Sequence, residues 1–145
     1  MKINIEQSNV YSEVEITIKC SRIDERLENL ISSLRLYNAM ISGKKGDKIY
    51  LLKPEDVLYF DTVDEKVFIY TADHVYETNL KLYEIEERFV GTSIIRVSKS
   101  IVLNLIKIEC VSPLLNGRIE AVLQNGEKVI ISRQYVPALK SKLGL

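Results

Sequence analysis

Three short stretches of this chain place a cation and hydroxyl or amide side chains where a hydrophobic run breaks. They are Thr62-Val63-Asp64-Glu65-Lys66, Arg96-Val97-Ser98-Lys99-Ser100 and Ile131-Ser132-Arg133-Gln134-Tyr135. Arginine can donate two parallel hydrogen bonds to the guanine edge, and lysine and serine can serve either a base edge or a phosphate. The chemistry such groups offer is recognition of a polyanion. A recognition group gains by sitting at a tip, because a rigid scaffold fixes its position while the tip reaches outward. Taken one at a time, each of these cations is better read as an ordinary solvated turn residue.

Catalytic constellations are missing from the sequence. It contains no glycine-rich phosphate loop, no G-x-S-x-G and no H-E-x-x-H. The acidic pairs Glu55-Asp56, Asp61 with Asp64, and Glu86-Glu87 have no accompanying base, metal or cofactor motif, so they read as solvated surface. His74 is the single histidine and falls beside Asp73 in a turn-like stretch, which excludes most zinc and histidine-base chemistry. Cys20 and Cys110 lie singly in strand-like runs and are expected to be buried reduced thiols. No metal, cofactor or small-molecule substrate is expected.

At 145 residues, 46% hydrophobic and 28% charged, the composition is that of a soluble globular chain with room for one core and a small appendage. A receiver domain does not fit in front of it. No apolar run approaches the roughly 20 residues that span a bilayer, and the first 20 residues alternate charge with hydrophobe, so a cytoplasmic location is expected. The formal charge is zero but unevenly distributed. Residues 93–145 carry eight cations against three acids, whereas residues 54–92 carry ten acids against Lys66, Lys81 and Arg88. A polyanion would be drawn to one part of such a molecule and repelled by another, although on charge alone an ordinary solvated surface is the better reading.

The elements that position these groups follow from periodicity. Residues 2–6 and 13–20 read as strands, the second because Val14, Ile16 and Ile18 alternate with Glu15, Thr17 and Lys19. Ser21-Arg22-Ile23-Asp24 resembles a capping box, with Ile23, Leu27, Leu30, Ile31 and Leu34 at helical spacing. Gly43-Lys44-Lys45-Gly46 reads as a linker, which divides the chain into a strand-strand-helix appendage over residues 1–43 and a body over 44–145. In the body, strands are expected at Ile49–Leu52, Val57–Thr62, Lys66–Thr71, Val75–Thr78, Ile94–Val97, Ile101–Leu103, Ile106–Val111, Arg118–Leu123 and Val129–Ser132. A helix is expected within Asn79–Phe89 and another over Tyr135–Leu143, with Pro137 in its first turn. Asn116-Gly117 and Asn125-Gly126 are tight-turn dipeptides. The fold class is mainly β with short helices.

Together the three cationic segments, in this order, resemble the LytTR-type DNA-binding domain over roughly residues 44–145. Ile101-Val102-Leu103-Asn104-Leu105 and Pro113-Leu114-Leu115-Asn116-Gly117-Arg118 also fit its pattern, chiefly through the fold. The resemblance implies an elongated stack of antiparallel β-sheets in which inter-strand loops, not a recognition helix, enter the major groove. It implies DNA contacts at or near Lys66, Lys99 and Arg133. Thr62, Asp64, Arg96, Ser98, Ser100, Asn104 and Gln134 would flank or support them. Many family members have histidine where Ser98 stands, which leaves the base read at that loop open.

The function implied is a stand-alone, sequence-specific transcription regulator that binds double-stranded DNA. A single small domain suggests a homodimer on half-sites separated by whole helical turns, with residues 1–43 serving dimerisation or regulation. A membrane-embedded inhibitor protein is a further partner implied by the resemblance. The alternative is a non-enzymatic protein–protein interaction module in a signalling pathway. A fragment beginning near Gly43 is expected to fold and to bind a single half-site while losing dimerisation or regulation.

Overall fold

A computed structural model describes residues 1–12, 14–36 and 39–145. The chain is mainly β. Helix α1 (Glu25–Leu36) leads into strands β1 (Ile41–Lys45), β2 (Lys48–Leu52), β3 (Val57–Val63), β4 (Lys66–Thr71) and β5 (Val75–Thr78). Helix α2 (Leu82–Arg88) precedes β6 (Ile94–Arg96), β7 (Ile101–Asn104), β8 (Ile108–Pro113), β9 (Ile119–Leu123), β10 (Lys128–Ile131) and helix α3 (Val136–Leu143). The strands form a seven-stranded sheet, ordered β2-β1-β5-β4-β3-β7-β6, and a three-stranded sheet, ordered β10-β9-β8. Every pairing is antiparallel.

The large sheet is the wall between two cores. On one face Phe60, Val67, Ile69 and Val102 pack with Leu36 of α1, Ile41 of β1, and Leu82, Ile85 and Phe89 around α2. On the other face Leu58 and Leu103 pack with Ile119, Ala121, Leu123, Val129 and Ile131 of the small sheet and with Leu139 of α3. Each fully buried aliphatic or aromatic side chain contributes about 1.5–3 kcal/mol. Strand β3 serves both cores, and its register shifts between Val57 and Tyr59. That bulge lets Leu58 and Tyr59 share one side while Val57 and Phe60 take the other, where strict alternation would have paired Val57 with Tyr59 and Leu58 with Phe60.

Residues expected as the first two strands have no strand partner. Residues 2–6 and 14–20 are unpaired, and Ile3, Ile5, Val14, Ile16 and Ile18 are exposed. Alternation supplies one apolar face, but a strand also needs a neighbour for its backbone groups, and none pairs with them among the described residues. Glu13, which opened the second expected strand, lies outside the described residues. Helix α1 begins three residues later than the capping-box reading implied: the Asp24 carboxylate accepts from the Leu27 backbone N–H at 2.9 Å and caps it.

Gly43-Lys44-Lys45-Gly46 is not a linker. Gly43, Lys44 and Lys45 belong to β1, paired with Tyr50, Ile49 and Lys48 of β2, and Gly46 turns the hairpin at φ +62°. Gly43 is required here for space, since a Cβ would fall 2.7 Å from that of Tyr76. Both cysteines are exposed, contrary to the expectation of buried thiols. Cys20 lies in the unpaired N-terminal stretch. Cys110 follows a register shift in β8 that turns it to the outer face with Val122, while Val111 and Ala121 face inward.

Candidate nucleic-acid interface

The antiparallel order brings three cationic segments to one end of the molecule. The β3–β4 hairpin turns there through Asp64 and Glu65, the β6–β7 connection Val97–Ser100 lies beside it, and β10 ends nearby in a 3-10 turn, Arg133–Tyr135. Two backbone hydrogen bonds join them: the Thr62 N–H donates to the Ser100 carbonyl at 2.9 Å, and the Ser132 N–H donates to the Val97 carbonyl at 2.9 Å. The second bond crosses from one sheet to the other. Lys66, Lys99 and Arg133 are exposed, and none of the three is in an ion pair among the described residues.

Each tip is held in its shape by local chemistry. Asp64 and Glu65 both adopt left-handed backbone, φ 51° and 65°, which suits a two-residue antiparallel hairpin and costs a non-glycine residue about 1–2 kcal/mol. The Ser98 hydroxyl accepts from the N–H groups of Ser100 and Ile101 at 3.3 and 3.1 Å, which closes the middle loop on itself. The aliphatic stem of Arg133 lies over Gly117, where a Cβ would approach its Cγ and Cδ to 3.2 Å. Gly117 (φ 74°) and Asn116 (φ 65°) supply the left-handed turn that leaves this room.

Arg96 and Asn104 hold the fold. The Arg96 Nε donates to the Ser98 carbonyl at 2.7 Å, Nη2 donates to the Lys99 carbonyl, and Nη1 pairs with the Glu86 carboxylate of α2 at 2.8 Å. Its guanidinium is therefore spent on the loop that presents Lys99. Asn104, counted from sequence among the flanking contacts, is fully buried. Its Nδ2 donates to the carbonyls of Val57 at 2.8 Å and Pro54 at 3.3 Å, so it satisfies backbone groups between strands and cannot reach a ligand. Asp64 and Gln134 are exposed on the first and third tips, and Thr62 and Ser98 are half-buried behind them.

A polar seam behind the tips links the sheets. Tyr59 and Tyr70 stack with centroids 4.4 Å apart. Burial pushes the Tyr59 phenol well above its ordinary value, and the Glu127 carboxylate of the β9–β10 turn acts in the same direction. Burial also raises Asp61, opposed by hydrogen bonds from the Ser100 hydroxyl and the Thr62 backbone. Asp61 and Glu86 read from sequence as solvated surface because their side-chain partners, Ser100 and Arg96, are 10 or more residues away. Arg118 likewise reads from sequence without a binding role, although this exposed residue adjoins Gly117 at the same end of the small sheet.

Residues 47–144 match the model of the LytTr DNA-binding domain. The chain belongs to the LytTr DNA-binding domain family. Among LytTr relatives, the sensory transduction protein LytT of Enterococcus faecalis strain V583 is 36% identical over 99 residues, 68% of this chain and 41% of that protein. LytT of Bacillus subtilis strain 168 is 32% identical over 98 residues, again 68% of this chain and 41% of the relative. This chain thus spans less than half the length of either protein. An uncharacterized HTH-type transcriptional regulator of Staphylococcus aureus strain MSSA476 is 24% identical over 147 residues, covering all of this chain and 99% of that protein. The solved LytTr DNA-binding domain of a methyl-accepting/DNA response regulator from Bacillus cereus shares the fold, with a TM-score of 0.70 at 22% identity over 74% of this chain and 99% of that one. In the LytTr fold seen here, α1, α2 and α3 are each separated by five strands, and no helix-turn-helix pair occurs among the described residues. No helix among them is long and apolar enough to cross a membrane.

Proposed function

We propose that this chain is a sequence-specific regulator of transcription that reads the DNA major groove with the three joined tips. The observation that carries the reading is the convergence of unpaired Lys66, Lys99 and Arg133 at one end of the molecule, on segments tied by the Thr62–Ser100 and Ser132–Val97 hydrogen bonds. Membership of the LytTr family and the transcriptional regulator matched along its full length support it. Arg133 serves as the base-reading group, since its stem is braced and its guanidinium is directed from a fixed turn. Lys66 and Lys99 contact base edges or phosphates, with Asp64, Ser98 and Gln134 flanking them. Arg96 and Ser100 position the middle loop, and Arg118 is added as a phosphate contact.

The protein acts as a homodimer on two half-sites spaced by whole turns of about 10–10.5 bp, which compensates for the small footprint of one domain. It acts in the cytoplasm without catalysis, and a membrane-embedded inhibitor protein is a candidate controlling partner. The test is selection of duplexes bound by the purified full chain from a random pool. A repeated motif at a fixed helical spacing is expected. Failure to enrich any sequence, together with salt-insensitive capture of a protein partner, would favour the interaction-module reading.

A further inference from the structure

Strand β2 is an edge of the seven-stranded sheet, so one side of its backbone has no strand partner. Its outer face presents Ile49 and Leu51, each 72% exposed. An exposed apolar edge is a template for another strand, and among the described residues no bulge, proline or helix covers it. The same chain carries a stretch with the complementary need: Val14, Ile16 and Ile18 alternate with polar residues and are exposed, and residues 14–20 have no strand partner.

Charge is complementary as well. Residues 6–15 contain Glu6, Glu13 and Glu15 and no cation, whereas the β1–β2 hairpin and its exit carry Lys44, Lys45, Lys48 and Lys53 against Asp47. None of these lysines is in an ion pair among the described residues. They are not part of the DNA-facing end. The Lys45 ammonium donates to His74 Nδ1 at 2.7 Å in the β4–β5 turn, at the opposite end of the sheet from Lys66.

The N-terminal stretch cannot easily reach its own β2. Helix α1 starts beside the end of α3, where a Cβ on Gly144 would meet the Glu25 carboxylate at 3.0 Å. Lys142 of α3 in turn lines a groove with Ile95 and Arg96 of β6, the edge opposite β2. Six inter-strand steps of about 4.8 Å put those edges roughly 29 Å apart. The chain from Cys20 to Glu25 extends at most about 17 Å. A second copy has no such restriction.

We infer that residues 14–20 of one chain add as a strand to the β2 edge of a second copy, and reciprocally, so that Val14, Ile16 and Ile18 cover Ile49 and Leu51. This rests on the homodimer reading above and names its surface. The acidic stretch preceding the strand then lies against the lysines of the partner hairpin, while both DNA-facing ends stay open.

The experiment is sedimentation of the full chain beside Ile16→Lys/Ile18→Lys and Ile49→Lys/Leu51→Lys, with half-site binding measured on the same samples. Wild type should dimerise, and each variant should raise the dimer dissociation constant by roughly tenfold or more. An equimolar mixture of the two variants should recover dimer, because one chain still offers an intact segment and the other an intact edge. The first variant alters only exposed, unpaired residues, so it remains informative if the second disturbs the hairpin. A monomeric wild type, or a dimer that Ile16→Lys/Ile18→Lys leaves intact, would overturn the inference. If wild type is monomeric yet binds a specific half-site, the dimer surface fails and the regulator reading stands. If it dimerises as described but enriches no sequence, the reverse holds.

Discussion

The Ser132 backbone N–H donates to the Val97 carbonyl at 2.9 Å, and this bond fixes the end of the small sheet to the middle loop of the large one. Arg133 and Lys99 are one and two residues beyond the bonded groups. Their spacing is therefore set by main chain rather than by flexible side chains. A groove-reading surface built from separate loops needs that kind of tie, because a misplacement of about 1 Å forfeits bidentate geometry.

Arg133→Ala should weaken binding to the preferred duplex by about 1–3 kcal/mol and relax selectivity at one base position, as loss of a bidentate guanine contact would. Fluorescence anisotropy on matched and mismatched duplexes measures both quantities. Unchanged affinity for both duplexes removes Arg133 from the readout.

Lys66→Ala and Lys99→Ala should each impair binding, and the salt dependence tells the roles apart. A phosphate contact lowers the slope of log affinity against log salt by about one unit with sequence preference unchanged. A base contact alters preference and leaves the slope nearer wild type. Two variants indistinguishable from wild type in both assays would exclude the first two tips.

Arg96→Ala should act through the loop. Without its guanidinium the carbonyls of Ser98 and Lys99 lose their donor and Glu86 loses its partner, so affinity should fall by about tenfold while thermal stability drops by about 1–2 kcal/mol. Amide hydrogen exchange of residues 97–101 should accelerate. Unaltered exchange accompanied by a salt slope reduced by one unit would instead make Arg96 a direct phosphate contact.

Asn104→Leu should destabilise the fold by about 2–3 kcal/mol, because the Val57 and Pro54 carbonyls lose a buried donor. Chemical denaturation measures this. The surviving folded fraction should bind DNA with wild-type sequence preference, and a shift in preference would restore Asn104 to the site.

A fragment beginning at Gly43 should unfold or aggregate, because it lacks the fully buried Ile41, the buried Leu36 and the first half of β1. Losing one such aliphatic side chain costs about 2–5 kcal/mol. A fragment beginning at Ser21 keeps α1 with its Asp24 cap and should retain both the fold and half-site binding. Circular dichroism of the two fragments checks the pair. A well-folded Gly43 fragment would restore the separate appendage.

Local chemistry explains how much of this was legible beforehand. Asn116-Gly117 announced a left-handed turn, and the β-branched and aromatic residues of Lys66–Thr71 and Val75–Thr78, set off by compact polar turns, announced β4 and β5. The alternation in residues 14–20 misled, since apolar spacing says nothing about whether a neighbouring strand exists. Gly43-Lys44-Lys45-Gly46 looked like a linker because its contact is backbone pairing and the absence of a Cβ against Tyr76, neither of which leaves an apolar signal. The three tips were readable as cations at strand ends. That Arg96 points back into its own loop and Asn104 inward could not be read, because their partners Glu86, Pro54 and Val57 come from other elements.

The shared wall has a practical consequence for anyone labelling or re-engineering this chain. Because β3 and β7 feed Phe60 and Val102 to one core and Leu58 and Leu103 to the other, inserting a single residue in either strand would exchange the contents of both compartments at once. Exposed turns outside both compartments escape that penalty. Asn125-Gly126, exposed and with no atom within 4 Å of a Cβ on Gly126, is one place where a fluorophore or an extra peptide would be borne without cost to either compartment.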